Sequence, residues 1–124
     1  MSEDLKKIVV GMFKSLDDLD SEGVVKYFSD DVEQVDELAQ KWLRGKEICV
    51  AAIKGMMTSV TDIKSQVSDI SVITSSDMAI VTCTLNQSYT FEGKSISIVA
   101  PTTIAFRVEN GAWKAVLLHT VPFA

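Results

Sequence analysis

The chain has 124 residues, of which 47% are hydrophobic and 23% charged. This size and composition are typical of one folded domain and exclude a disordered chain, so we expect a single domain over residues 1–124. With 17 acidic against 12 basic residues the net charge is -5, which disfavours binding to nucleic acid or to anionic membrane surfaces.

The first residues, MSEDLKKIVVGMF, carry acids early and lack the basic end and unbroken apolar stretch of a secretory signal. No apolar run of about 20 residues suited to crossing a membrane occurs, and we expect a cytoplasmic protein. Cys49 and Cys83 form no CxxC pair and are predicted to be buried free thiols. A single histidine and scattered carboxylates predict no metal site, and we expect no cofactor.

Apolar residues at three- and four-residue steps predict a first helix over residues 2–19, with Ser2 as its cap. Its inward row is Leu5, Ile8, Val9, Met12, Phe13, Leu16 and Leu19. Asp20 is predicted to cap a second helix that ends at the Asp30-Asp31 pair. The inward residues of that helix are Val24, Val25 and Phe28. A third helix is predicted within GKEICVAAIKGMMTSV, where apolar residues form two adjoining rows.

The segment VEQVDELAQKWLRG, which precedes the third helix, has no helical stripe and predicts one or two short strands. From Ile63 onward the period becomes two, which predicts a meander of long antiparallel strands. The alternation slips between Val67 and Ile70, which indicates a bulge. Pro101 indicates an edge or bulge position in its strand. Turns are predicted at residues 74–77, 92–93 and 110–111.

This order of elements predicts an α+β fold in which three helices pack on the concave face of a curved antiparallel or mixed sheet. Long strands on an open sheet twist and bend, so the helix-covered side is expected to form a cone with one open mouth. We expect that mouth to be the ligand site. The apolar alternate face of the meander predicts a homodimer. The residues expected on that face are Met78, Ile80, Val116 and Leu118.

Four stretches of the chain resemble the nuclear-transport-factor-2-like (NTF2-like) superfamily, in particular its SnoaL-like and ketosteroid-isomerase-like branches. They are YFSDDV, LRGKEI, MAIVT and ENGAWKAVLLHT. The resemblance spans almost the whole chain and implies a cone-shaped α+β barrel that often dimerises through the outer face of its sheet. Members include isomerases, polyketide cyclases, epoxide hydrolases, dehydratases and non-catalytic binding domains, so the resemblance implies no single activity.

The stretch FSDDVEQVDE is similar to the ketosteroid isomerase segment in which the general base is an aspartate eight residues after a phenylalanine. Counted from Phe28, that position is Asp36, and the resemblance implies that Asp36 removes a proton next to a carbonyl. The oxyanion donors of that family are not matched, because Phe13 stands at the tyrosine position and Thr103 lies nearest the protonated aspartate. Steroid isomerisation is therefore not expected.

Strand alternation predicts that the last strand turns one face, which includes His119, toward the pocket. The other residues of this face are Trp113, Ala115 and Leu117. His119 is then either a neutral group that exchanges a proton or hydrogen bond with a ligand, or a core side chain satisfied by a backbone carbonyl or by Thr103. Asp36 is either the base or a solvated acid in an acidic stretch. Asp36 with His119 is the predicted catalytic pair.

Further residues are predicted to line the pocket, although methionines and aromatic rings are also common in plain core. They are Phe13, Tyr27, Trp42, Met56, Met57, Cys83, Thr103 and Trp113. The expected ligand is a small apolar molecule. Two functions stay open: an isomerase- or cyclase-type proton transfer by Asp36 and His119, and a non-catalytic homodimeric binding or interaction module.

Overall fold

The computed structural model describes residues 2–36 and 40–121, which form an α+β fold with helices on one side of an unclosed mixed sheet. In chain order the elements of this part are α1 (Ser2–Asp17), α2 (Ser21–Val25), β1 (Phe28–Asp36), β2 (Lys41–Arg44), α3 (Lys46–Met57), β3 (Val60–Ser75), β4 (Met78–Phe91), β5 (Lys94–Glu109) and β6 (Ala112–Thr120). The strand order is β2-β1-β6-β5-β4-β3. Only β1 and β6 pair in parallel among these described strands. The predicted α+β class is confirmed.

The first two helices are joined by a tight turn at Leu19. This residue adopts a left-handed conformation with φ 57°, so α1 ends at Asp17, two residues earlier than predicted. Leu19 is 44% exposed, and its assignment to the inward row is wrong. Asp20 caps α2 as predicted, because its carboxylate accepts a hydrogen bond of 3.2 Å from the backbone N–H of Gly23. The side chain of Ser2, the predicted cap of α1, lies outside the described residues.

The second helix is shorter than predicted. It ends at Val25, before the acidic pair at residues 30–31, because Phe28 enters the sheet and pairs with Ala115 of β6. The backbone N–H of Ala115 donates to the carbonyl of Tyr27 at 2.6 Å, which fixes the start of β1. Phe28 is buried, as predicted, but as a strand residue.

The turns and one bulge of the meander follow the sequence signals. The three predicted turns join β3 to β4, β4 to β5 and β5 to β6. Asn110 and Gly111 both have positive φ, 52° and 78°, which is the conformation of a type I′ hairpin turn. The register of β3 shifts between Ser68 and Ser71, so the predicted bulge is confirmed.

Pro101 occupies an interior strand, since β5 lies between β4 and β6. It pairs regularly with Thr84 of β4, so the predicted edge or bulge position is wrong. The fold tolerates the missing N–H because the pairing of β5 with β6 begins only at Thr102. Beyond it, the N–H of Val121 donates to the Pro101 carbonyl at 3.0 Å.

The core lies between the helices and the sheet face that they cover. Its largest fully buried side chains include Leu5 and Val9 of α1, Phe28 of β1, and Ile104 and Phe106 of β5. Burial of each such side chain contributes about 1.5–3 kcal/mol. Both cysteines are buried free thiols, as predicted. Burial raises the pKa of each thiol, which disfavours the nucleophilic thiolate.

Candidate functional site

The helix-covered face of the sheet is organised in rows of residues paired across the strands. One row is apolar except for Gln34, whose neighbours in the row are Leu43 and Leu118. From β2 to β3 this row is Leu43, Gln34, Leu118, Ile104, Val81 and Val72. Ile104 and Val81 are fully buried, and α3 packs against β1. The row therefore forms an apolar surface interrupted by one amide.

The next row on the same face is mostly polar. It consists of Lys41, Asp36, Thr120, Thr102 and Cys83. Asp36 and Thr120 belong to this row because each lies two residues beyond the paired Gln34 and Leu118, and alternate strand residues share a face. The buried Thr102 hydroxyl donates to a backbone carbonyl at 3.1 Å and lies 3.4 Å from the Thr120 hydroxyl. Asp36 itself is half-buried. Polar groups thus border the apolar row.

The amide oxygen of Gln34 has an unusual environment. Its Oε1 is shielded from solvent and accepts no hydrogen bond from any residue within 2–36 or 40–121. Most buried polar atoms in proteins have a partner, and an unsatisfied one costs about 1–3 kcal/mol. Sequence reasoning missed Gln34. The available signal was its place two residues after the buried Val32 in VEQVD, which puts it on the same face.

A bulge in β6 is not visible in the sequence pattern. Ala105 pairs with Leu117, but the next residue of β5, Phe106, pairs with Ala115. Val116 is therefore the extra residue, and the side chains that follow it change face.

This bulge separates the two residues of the predicted catalytic pair. Trp113 stays on the helix-covered side, packed against the core, whereas His119 pairs with Thr103 on the outer face. The prediction that Trp113 and His119 share a face is therefore wrong. Asp36 lies on the helix-covered face, so the sheet itself stands between Asp36 and His119. The two side chains cannot act together on one ligand.

His119 instead belongs to a cluster on the outer face. Its ring lies 6.2 Å from that of Trp42, measured between centroids. The Arg44 guanidinium lies 5.9 Å from the centre of the Trp42 ring and forms an ion pair with Glu33 at 3.3 Å. Trp42, expected at the pocket rim, is 45% exposed on this outer face.

The remaining predicted lining residues divide between the core and the outer face. Phe13, Tyr27, Met57 and Trp113 pack against the core cluster. Met56 is half-buried near the end of α3, and Cys83 is buried on the helix-covered face. Thr103 shares the outer face with His119. A ligand contact by any of these residues stays a prediction.

A polar network that sequence reasoning also missed joins β1 to β5. The buried hydroxyl of Ser29 lies 2.7 Å from both Asp31 and Glu109, and Arg107 donates to both carboxylates. Hydrogen bonds from Ser29, then those from Arg107, hold the pKa of Asp31 and of Glu109 below their ordinary values. The Arg107 pKa is raised by its hydrogen bonds to Glu109 and Asp31. Each of these polar groups is hydrogen-bonded to another member of the network, and the network links β1 to β5.

Two surface grooves, lined mainly by polar and charged residues, lie away from Asp36 and Gln34. One of about 250 Å³ lies between α1 and α2 and is lined by Lys14 and Tyr27 among others. The other, of about 340 Å³, lies over β3, β4 and β5 and includes Asn86. Within the described ranges, no three His, Cys, Asp or Glu side chains are grouped to hold a metal ion. No helix in those ranges is long and apolar enough to cross a membrane.

In a comparison with known protein families, the sequence matches one family model. The model of the SnoaL-like domain matches residues 5–121. No curated protein matches the sequence.

Several solved structures share the fold. A dehydratase candidate of the NTF2-like family from Streptomyces avermitilis is 19% identical with a TM-score of 0.88, over 99% of this chain and 97% of that chain. A protein with a cystatin-like fold from Caulobacter vibrioides is 18% identical with a TM-score of 0.86, over 99% and 89%. A ketosteroid isomerase-like protein from Erwinia carotovora atroseptica is 16% identical with a TM-score of 0.82, over 96% and 93%. Identities this low show a shared fold alone.

Proposed function

Because this chain belongs to the SnoaL-like domain family of the NTF2-like superfamily, as its motifs predicted, we propose that it binds a small apolar molecule on the helix-covered face of its sheet. The observation that carries the proposal is the position of Asp36 and Thr102 in a polar row beside the apolar surface of Leu118 and Ile104. Ligand sites combine mostly apolar walls with a few polar groups that fix orientation.

Asp36 is the residue on this face suited to act on a bound molecule. A carboxyl group beside an apolar surface can remove a proton next to a carbonyl. The similar structures named for a dehydratase candidate and for a ketosteroid isomerase-like protein make such a proton transfer the finer form of the proposal. His119 is not the partner in it, because the sheet separates the two side chains. The hydroxyl of Thr120 shares the face of Asp36 and replaces His119 as the candidate donor.

A titration followed by NMR of leucine and isoleucine methyl groups tests the binding proposal. With 2-naphthol as the apolar probe, we expect shifts at Leu118 and Ile104, which face the helices, and none at Leu117, on the outer face. Shifts confined to Leu117, or no saturable shift at any of the three residues, would contradict the proposal.

We also propose a homodimer formed through the outer face of the sheet, as a second function that leaves the helix-covered face free. The supporting observation is a set of large apolar side chains that stay 41–64% exposed on this face. They are Trp42, Ile73, Met78, Ile80 and Val99. Ile73 and Ile80 are cross-strand partners, and exposed apolar side chains grouped in this way are typical of an interface. Of the residues predicted for it, Leu118 faces the helices instead, and Leu117 takes its place beside Ala105.

The oligomeric state measured by light scattering at micromolar concentration tests the dimer. We expect the unaltered chain to run as a dimer and Ile80→Lys to run as a monomer, because a charge in the middle of an apolar interface is not solvated. Ile48→Lys is the matched control, since Ile48 is 54% exposed on α3, and it should leave the dimer intact. A monomeric unaltered chain would contradict this second function.

A further inference from the structure

We infer that the ligand of the proposed site carries a hydrogen-bond donor, a hydroxyl or an N–H, directed at Oε1 of Gln34; this inference rests on the proposed function. The carbonyl oxygen of that amide is shielded from solvent and has no partner within residues 2–36 and 40–121. A buried acceptor without a partner is rare in native proteins and points to a group supplied from elsewhere.

Within the described part of the chain, no residue donates a hydrogen bond to Oε1 of Gln34. Its neighbours in the row, Leu43 and Leu118, are apolar. The nearest polar row contains the Thr102 hydroxyl, which donates to the Ala100 carbonyl at 3.1 Å. In apolar surroundings a hydrogen bond is electrostatically stronger than in water, because no solvent competes for the acceptor. A ligand that brings a donor therefore gains affinity at this atom.

The same surroundings narrow the chemical class of the ligand. Leu118, which is half-buried beside the fully buried Ile104, offers an apolar contact that an apolar ligand body can use. The Gln34 amide and the Asp36 carboxyl lie on one face with Lys41 and the hydroxyls of Thr102 and Thr120. The net charge of the chain, -5, disfavours a carboxylate or phosphate ligand. The class that fits is a neutral apolar alcohol, phenol or enol, or a heteroaromatic N–H compound.

A matched pair of probes tests the inference. 2-Naphthol can donate a hydrogen bond through its hydroxyl, whereas 2-methoxynaphthalene can only accept one, and both are titrated while the Leu118 methyl groups are followed by NMR. We expect the naphthol to bind the unaltered chain about three- to tenfold more tightly than the ether, the range of one net hydrogen bond. This preference should fall to about onefold in Gln34→Leu. It should persist in Asp36→Ala, which removes the carboxylate acceptor of the face, and in Gln34→Glu, which keeps an acceptor.

Each outcome decides between the two proposals. Equal binding of both probes to the unaltered chain would overturn the Gln34 inference and leave the apolar site standing; it is also the result expected if the amide nitrogen faced the ligand. A preference lost in Asp36→Ala but kept in Gln34→Leu would assign the donor to Asp36 and likewise overturn it. No binding of either probe would remove the site itself. Should Gln34→Leu fail to fold, the preference of the unaltered chain and its retention in Gln34→Glu still decide the question.

Discussion

Leu117 and Leu118 are consecutive residues of β6 whose side chains lie on opposite faces of the sheet. Leu117 pairs with Glu33 and Ala105 on the outer face, and Leu118 pairs with Gln34 and Ile104 beneath the helices. Two side chains of identical chemistry therefore report separately on the two proposed surfaces.

Leu118→Ala is expected to weaken binding of 2-naphthol about fivefold or more, because three buried carbon atoms leave the ligand surface. Leu117→Ala should change that affinity by less than about twofold and should instead weaken self-association. Probe affinity is measured by NMR titration and dimer dissociation by analytical ultracentrifugation. The expectation fails if both variants lose affinity equally after correction for the fraction folded.

His119→Ala separates the corrected site from the predicted catalytic pair. Since His119 lies on the outer face with Thr103 and Trp42, its removal should leave the affinity for 2-naphthol within about twofold of the unaltered value. A tenfold loss measured by the same titration would restore the pair of Asp36 and His119. Thr103→Val, on the same face, is the matched control.

Gln34→Leu is expected to stabilise the ligand-free protein by about 1 kcal/mol, because it removes an unsatisfied acceptor and completes an apolar row. Urea unfolding followed by circular dichroism measures the change. Gln66→Leu is the control, since Gln66 is an exposed residue of β3, and it should stay within about 0.5 kcal/mol of the unaltered chain. A large loss of stability in Gln34→Leu would show that the amide is satisfied in the native protein.

The parts of the fold that the sequence predicted depend on local chemistry. Asp20 can cap α2 through its own side chain, and Asn110 with Gly111 can adopt the left-handed conformations of their turn, whatever the rest of the chain does. The end of α2 depends on a distant partner, because Phe28 leaves the helical pattern to pair with Ala115. Such a contact has no signature in residues 20–31.

The candidate site was less predictable for the same reason. The bulge at Val116 moves each later side chain of β6 to the opposite face of the sheet. Because the extra residue is apolar and lies between Ala115 and Leu117, the sequence pattern gives no sign of it. His119 was therefore assigned to the wrong side. The pairing of β1 with β2 is regular from Glu33 to Asp36, so simple alternation places Asp36 on the helix-covered face.

The network of Ser29, Asp31, Arg107 and Glu109 predicts a loss of stability in acid. The pKa of each carboxyl is lowered from its ordinary value, 3.8 for Asp31 and 4.5 for Glu109, first by the Ser29 hydroxyl and then by Arg107. The unfolded chain therefore binds more protons than the folded one in this range. The stabilisation is complete above the unfolded values and is lost as the pH falls through the lower folded values.

Thermal midpoints measured from neutral pH downward should fall more steeply for the unaltered chain than for Asp31→Asn/Glu109→Gln, with the difference opening below about pH 4.5. Asp30→Asn is the matched control, because its exposed side chain is outside the network, and its curve should run parallel to that of the unaltered chain. Parallel curves for the double variant would show that the network contributes no pH-dependent stability.

Two glycines in the first two helices should respond in opposite ways to the same substitution. A Cβ on Gly11 of α1 would meet no atom within 4 Å, whereas a Cβ on Gly23 of α2 would lie 2.4 Å from the Ser15 hydroxyl oxygen and 2.7 Å from Asp20. Gly11→Ala is therefore expected to stabilise the protein by about 0.5–1 kcal/mol, the helical advantage of alanine. Gly23→Ala should destabilise it by about 1–3 kcal/mol, since the two helices must move apart. Urea unfolding measures both, and a stabilising Gly23→Ala would show that the contact between α1 and α2 is looser than these distances indicate.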